Sequence, residues 1–188
     1  QQALPRPFAL TLAQALPKGA TMDEIVRQAT ELGAVRVVPL LTERTQVHFD
    51  GDRAEKKLEK WRTTAIEAAK QCGNPWVPEI APVQKLDAFL ASAGHGGAAG
   101  YDLKLVASLH AGAKPLRAAI GAWRATHGRN PERVLWLVGP EGDFSPTEMT
   151  ACVMAGVVPV TLGPLVLRCD TAAVAALSVL AHELGATE

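Results

Sequence analysis

RVLWLVGPEGDFSPTE (133–148) is the stretch from which the rest of the chain can be read. Arg133 to Val138 is a short apolar, β-rich run, which predicts a strand. Gly139 and Gly142 then permit backbone conformations and close approaches that a Cβ would forbid. Pro140 stiffens the loop, and Glu141 offers a carboxylate at the strand end. Ser145, Pro146 and Glu148 have the form of a helix start: a cap, a proline at the first helical position and an acid in the first turn. A tight turn carrying a solvated glutamate accounts for these residues equally well. The loop is neither a GxGxxG turn nor a phosphate-cradling loop ending in GK[ST], so a nucleotide-diphosphate cofactor is unsupported.

Outward from this unit, strand and helix patterns alternate. Phe8–Ala13 (FALTLA), 35–41 (VRVVPLL), 103–109 and 157–162 read as strands, with Pro39 placing the end of the second nearby. Thr21 stands three residues before Glu24, a capping-box spacing, and Met22, Ile25, Val26, Ala29 and Leu32 recur at helical intervals up to Gly33. Further helices are expected over 52–72, 85–92, 115–126, 146–155 and 171–184, with a Gly/Ala-rich loop over 93–100. The alternation predicts an α/β fold with a largely parallel sheet flanked by helices. In such sheets ligands sit beyond the C-terminal strand ends, where Gly139-Pro140-Glu141-Gly142 and Gly163-Pro164 fall.

The chain has 188 residues, 48% hydrophobic and 20% charged, enough for one domain with a real core. No apolar run is long enough for a membrane span, and QQALPRPFAL does not resemble a signal peptide. Cys72, Cys152 and Cys169 form no CxxC pair, so neither a disulfide framework nor a zinc site is signalled and no metal is expected. A reduced, cytoplasmic protein is the expectation. Lys plus Arg equals Asp plus Glu at 19 each, which argues against a protein held to nucleic acid by bulk charge.

Three other segments carry polar residues in suggestive places. In LGPLVLRCDTAAVAAL (162–177), Arg168 precedes an alanine-rich helix; pairing of Arg168 with Asp170 is the plainer account. In 22–47, Glu31 falls near a helix end, with Arg44 and Gln46 just past a strand. In EAAKQCGNP (67–75), Gln71 follows Glu67 by one turn. Lys56, Lys57 and Lys60 read as a solvated helix face.

Taken in order, LPKGATMDEIVRQATELG, VVPLLTERTQV, EAAKQCG, LVGPEGDFS and LGPLVLRCDTA resemble the RsmE family of 16S ribosomal RNA uridine-N3 methyltransferases, within the SPOUT superfamily. The five blocks span about 17 to 177. The resemblance implies an α/β fold whose C-terminal part threads a deep trefoil knot, an exception to ordinary topology rules. It implies a homodimer, S-adenosylmethionine as cofactor, and a uridine of 16S ribosomal RNA in the small subunit as substrate. Carried over by motif, the cofactor wall is Leu137, Val138, Gly139, Pro140, Glu141, Gly142, Leu162, Gly163, Val166, Leu167, Arg168, Thr171 and Ala172, with Ser108, Leu109 and His110 from an earlier strand end. Arg168 is the candidate for stabilising charge on the base carbonyl oxygens, and Glu141 for accepting the N3 proton. Lys18, Arg44, Gln46 and Gln71 are candidate RNA contacts. A paired base hides N3, so the target is expected to be single-stranded or flipped out.

The chain departs from the family pattern at Asp143 (usually a second glycine), Leu165 (usually arginine), Cys169-Asp170 (usually threonine-glutamate) and Asn74 (often arginine). Against the family pattern, Asp143 is expected to narrow the cofactor loop or to place a charge beside the sulfonium. Family members also carry an N-terminal PUA-like barrel. Residues 1–16 are therefore expected to be a linker remnant plus the first strand, and 17–188 the methyltransferase domain. Two other functions fit the same residues: a SPOUT methyltransferase with another RNA target, or a dimeric RNA-binding or ribosome-assembly factor with weakened catalysis.

Overall fold

The fold was analysed in a computed structural model, which describes residues 6–46, 51–93, 100–109 and 112–185. Eight strands form one sheet: β1 (Ala9–Ala15), β2 (Arg36–Leu41), β3 (Glu79–Ile80), β4 (Gln84–Lys85), β5 (Leu103–Ala107), β6 (Lys114–Pro115), β7 (Arg133–Val138) and β8 (Val158–Thr161). The order is β3-β2-β1-β7-β5-β8-β6, with β4 also pairing β2, and all seven pairings are parallel. Six helices connect them: α1 (Thr21–Glu31), α2 (Gly51–Cys72), α3 (Leu86–Ala93), α4 (Leu116–His127), α5 (Pro146–Met154) and α6 (Cys169–Gly185).

Strand alternation divides the core in two. On β7, Val134, Trp136 and Val138 join the cluster beneath α1, α2, α4 and α6, whereas Leu135 and Leu137 join the cluster beneath α3 and α5. The sheet is thus covered on both faces, as a parallel sheet requires. α1 and α2 are pinned together by the buried Trp61, whose indole N–H donates to Asp23 Oδ1 at 2.9 Å.

The expectation of a parallel sheet flanked by helices holds, and two local readings change. Thr21 does not cap α1: Ala20 is the N-cap without a side-chain bond, and Glu24 pairs with Arg27 instead. β1 runs past the expected end at Ala13 through Gln14 and Ala15, because both pair with β2 and Gln14 also pairs with β7. Pro39 lies inside β2 close to its end at Leu41, as expected. It is tolerated there because it falls in the interruption between β3, which pairs Val37, and β4, whose pairing starts opposite Leu40. Of the expected Gly/Ala-rich loop, residues 94–99 lie outside the described residues, as do Val47 and His110.

Candidate active site

A cavity of about 280 Å³ opens at the C-terminal ends of β5, β7 and β8, near the lower end of the size range of small-molecule sites. Three chain segments meet there: Ala107 to Leu109 after β5, Val138 to Asp143 after β7, and Val160 to Ala172 around and after β8. Thr21 at the start of α1 closes one side. Leu109, Val138, Leu162, Val166 and Leu167 make the walls apolar, while Glu141, Asp143 and Arg168 are the charged members.

The loop after β7 is held in a single shape. Asp143 N–H donates to the Pro140 carbonyl at 2.9 Å, and Asp143 Oδ1 accepts from Phe144 N–H at 2.8 Å. A Cβ at Gly139 would lie 3.0 Å from Asp143 Oδ1 and 3.1 Å from Phe144 N, so a side chain there would push the loop outward by a few tenths of an ångström. The helix start read at Ser145 is present in full. Ser145 Oγ accepts from Glu148 N–H, and the Glu148 carboxylate accepts from Ser145 N–H, with Pro146 at the first turn.

A second depression adjoins the first and shares Glu141 with it. Its lining brings together Lys18, Arg44 and Gln46 with Glu43, Thr45 and Gly142. Three contacts tie it to the cavity loop. Glu141 Oε1 accepts from Lys18 N–H at 2.9 Å, the Arg44 guanidinium donates to the Gly142 carbonyl, and Glu148 Oε1 accepts from Glu43 N–H at 2.8 Å.

The motif-based residues separate cleanly in space. Ser108, Leu109, Val138, Gly139, Pro140, Glu141, Leu162, Val166, Leu167, Arg168 and Ala172 line the cavity. Leu137 does not: strand alternation turns its side chain into the opposite core. Gly142 faces the second depression instead. Thr171 is exposed, because on α6 the step from Thr171 to Ala172 carries only Ala172 inward. Gly163 sits in an exposed turn where Thr161 Oγ1 bonds both its N–H and its carbonyl. Gln71 is exposed at the end of α2, outside both depressions.

Thr21, Ala107, Val160, Thr161, Leu165 and Cys169 line the cavity without having been expected there. Ala107, Val160 and Thr161 could have been inferred, since they directly precede motif residues at strand ends. Leu165 and Cys169 stand where the chain departs from the family pattern, a signal that marks them as unusual but not as wall, whereas Asp143 lines the cavity as its place in the cofactor loop leads one to expect. Burial pushes the Cys169 thiol pKa upward, and the Glu141 and Asp170 carboxylates add to the effect.

The cavity suits a small, largely apolar ligand, since most of its walls are apolar side chains. Residues 4–181 match a family model described as an RNA methyltransferase domain. The chain belongs to the RNA methyltransferase domain family. It is 35% identical over 172 residues to the ribosomal RNA small subunit methyltransferase E of Synechocystis sp., covering 92% of this chain and 52% of that protein. It is 31% identical over 179 residues to the protein of the same name from Bacillus subtilis, covering 94% of this chain and 67% of that one. The methyltransferase domain therefore spans about half to two thirds of the length of these relatives. A solved structure of the putative methyltransferase Lpg2936 from Legionella pneumophila, in complex with its bound cofactor SAM, superposes with a TM-score of 0.81 at 36% identity. That match covers 94% of this chain and 67% of the other. Among the described residues, no helix is long and apolar enough to cross a membrane, and no three His, Cys, Asp or Glu side chains gather as a metal site.

Proposed function

We propose that this chain is the catalytic domain of an S-adenosylmethionine-dependent methyltransferase acting on N3 of a uridine in 16S ribosomal RNA of the small subunit. The observation that carries the reading is the pair of adjoining depressions sharing Glu141: one apolar and nucleoside-sized, the other flanked by Lys18, Arg44 and Gln46. Such a pair can hold a cofactor on one side and present an RNA strand on the other.

S-adenosylmethionine, when bound, supplies the electrophilic methyl group. Gly139, Pro140, Leu162 and Leu167 would hold it. Arg168 is suited to stabilise negative charge on the carbonyl oxygens of a deprotonated uridine, because its side chain is 83% exposed and its Nε lies 3.7 Å from Asp170. That long contact leaves most of its donors available to a substrate. Glu141 is a weaker candidate for the proton acceptor, since one of its oxygens already accepts from Lys18 N–H. Lys18, Arg44 and Gln46 contact the RNA strand in this reading, and Gln71 contacts RNA farther out.

Assembly as a homodimer belongs to the same reading and is supported by the apolar rim of the cavity, where Leu109, Leu165 and Val166 are 57%, 73% and 77% exposed. The trefoil knot belongs to the same reading, in which residues 161–169 share the cavity with the ends of β5 and β7. A ribosomal substrate places the protein in the cytoplasm.

The decisive experiment incubates the chain with small ribosomal subunits and isotopically labelled S-adenosylmethionine, then maps the labelled base. Label in 3-methyluridine of 16S RNA is expected. Label in another base or another RNA would replace the substrate assignment. Cofactor binding by calorimetry without any transfer would favour an RNA-binding factor.

A further inference from the structure

The charges on the cavity wall are unequal: two carboxylates, Glu141 and Asp143, face one guanidinium, Arg168. Arg168 projects into solvent and has Asp170 beside it, so its field inside the cavity is weakened. Glu141 is exposed and engaged with Lys18. Asp143 differs from both. It is the one non-glycine residue with positive φ among the described residues, at 62°. A left-handed backbone costs a side-chain-bearing residue free energy, although aspartate is among the residues that tolerate it.

Two restraints then fix its carboxylate. Oδ1 accepts from Phe144 N–H at 2.8 Å, and the same oxygen packs over Gly139, 3.0 Å from where a Cβ would stand. The group is half-buried and cannot swing into solvent without giving up the Phe144 bond and the packing over Gly139. A fixed, partly desolvated charge acts on a ligand more strongly than a mobile, solvated one, because no reorientation is needed when the ligand arrives.

We propose that Asp143 is a specificity-determining residue that makes the cavity favour a sulfonium ligand over the corresponding neutral thioether. The inference rests on the methyltransferase reading above. Methyl transfer moves CH3 from sulfur to the nitrogen nucleophile; the C–S bond breaks, its electron pair stays on sulfur, and sulfur loses its positive charge. The ligand before and after transfer therefore differs by one methyl group and one unit of charge. A carboxylate fixed in the wall attracts the first form and is indifferent to the sulfur of the second. Asp143 thereby weakens retention of spent cofactor.

The test is titration calorimetry of the full chain with S-adenosylmethionine and with S-adenosylhomocysteine, for wild type, Asp143→Asn and Asp143→Gly. Asn keeps the shape, tolerates positive φ and can still accept from Phe144 N–H; Gly removes the backbone cost and secures a folded control. The preference for the charged ligand is expected to fall roughly three- to tenfold in both variants, and the wild-type preference to shrink with added salt. An unchanged preference in both variants, with wild type binding both ligands, overturns the role of Asp143 and leaves the methyltransferase reading standing. Failure of wild type to bind either ligand overturns both.

Discussion

The carboxylate of Glu148 accepts a hydrogen bond from the backbone N–H of Glu43 at 2.8 Å, across 105 positions of sequence. The same side chain closes the capping box of α5 through Ser145. One buried acid therefore ties the loop after β2, which carries Arg44 and Gln46, to the loop after β7, which carries Gly139 and Glu141.

Replacing Glu148 with Ala removes both acceptors and leaves the Glu43 and Ser145 N–H groups short of partners. A loss of about 2–3 kcal/mol in unfolding free energy is expected by urea titration. Because the link joins the two depressions, RNA affinity is expected to fall by more than cofactor affinity. Equal losses in both would mean that the contact is only a helix cap.

Gly139→Ala puts a methyl group 3.0 Å from Asp143 Oδ1 and 3.1 Å from Phe144 N. The loop must shift by a few tenths of an ångström to admit it. Cofactor affinity by calorimetry is expected to drop at least about tenfold, roughly 1.4 kcal/mol, with little change in the far-ultraviolet spectrum. Wild-type affinity in the variant would show that the ligand does not use this loop.

Arg168→Ala is expected to abolish most methyl transfer in single-turnover assays while leaving the fold intact, since the side chain is exposed and its ion-pair contact with Asp170 is long, at 3.7 Å. Lysine at this position would restore little, because a point charge cannot reproduce the guanidinium fork. Near-normal turnover by the alanine variant would remove Arg168 from the chemistry.

Stability at low pH is expected to depend on Asp102. Burial alone would raise its pKa, but N–H donors from Arg133 and Glu132, together with the Arg129 guanidinium, outweigh burial and hold it below the usual 3.8. A depressed pKa in the folded state contributes stability above the unfolded value, and that stability is lost as pH falls through the folded one. Asp102→Asn should therefore cost about 1–2 kcal/mol at pH 7 and progressively less below pH 4. A constant difference across that range would contradict the assignment.

Much of this architecture could be read from the chain because its signals are local. β7 matches its expected bounds at 133–138, and the Ser145-Pro146-Glu148 start of α5 forms as its residue types require. The two-residue strands β3, β4 and β6 are too short for periodicity to register. The Thr21–Glu24 spacing misled for a related reason: Arg27 offers Glu24 a charged partner that competes with the cap. At the cavity, motifs located the strand ends but not the direction of each side chain. Leu137 and Thr171 are motif residues that the pleat and the helical turn point elsewhere. Asp143 is legible as a charge in the cofactor loop, but its left-handed backbone and its bond to Phe144 are not.

The placement of β7 between β1 and β5 bears on how this protein is made. A ribosome releases β1 and β2 early, and they can pair as they emerge. β5 follows but has no seat beside them until residues 133–138 arrive to fill the gap. The nascent chain thus waits with an apolar strand unpaired through some twenty-five residues of synthesis. Slow elongation across this interval would lengthen the exposure, and chaperone capture of the half-made chain should peak there.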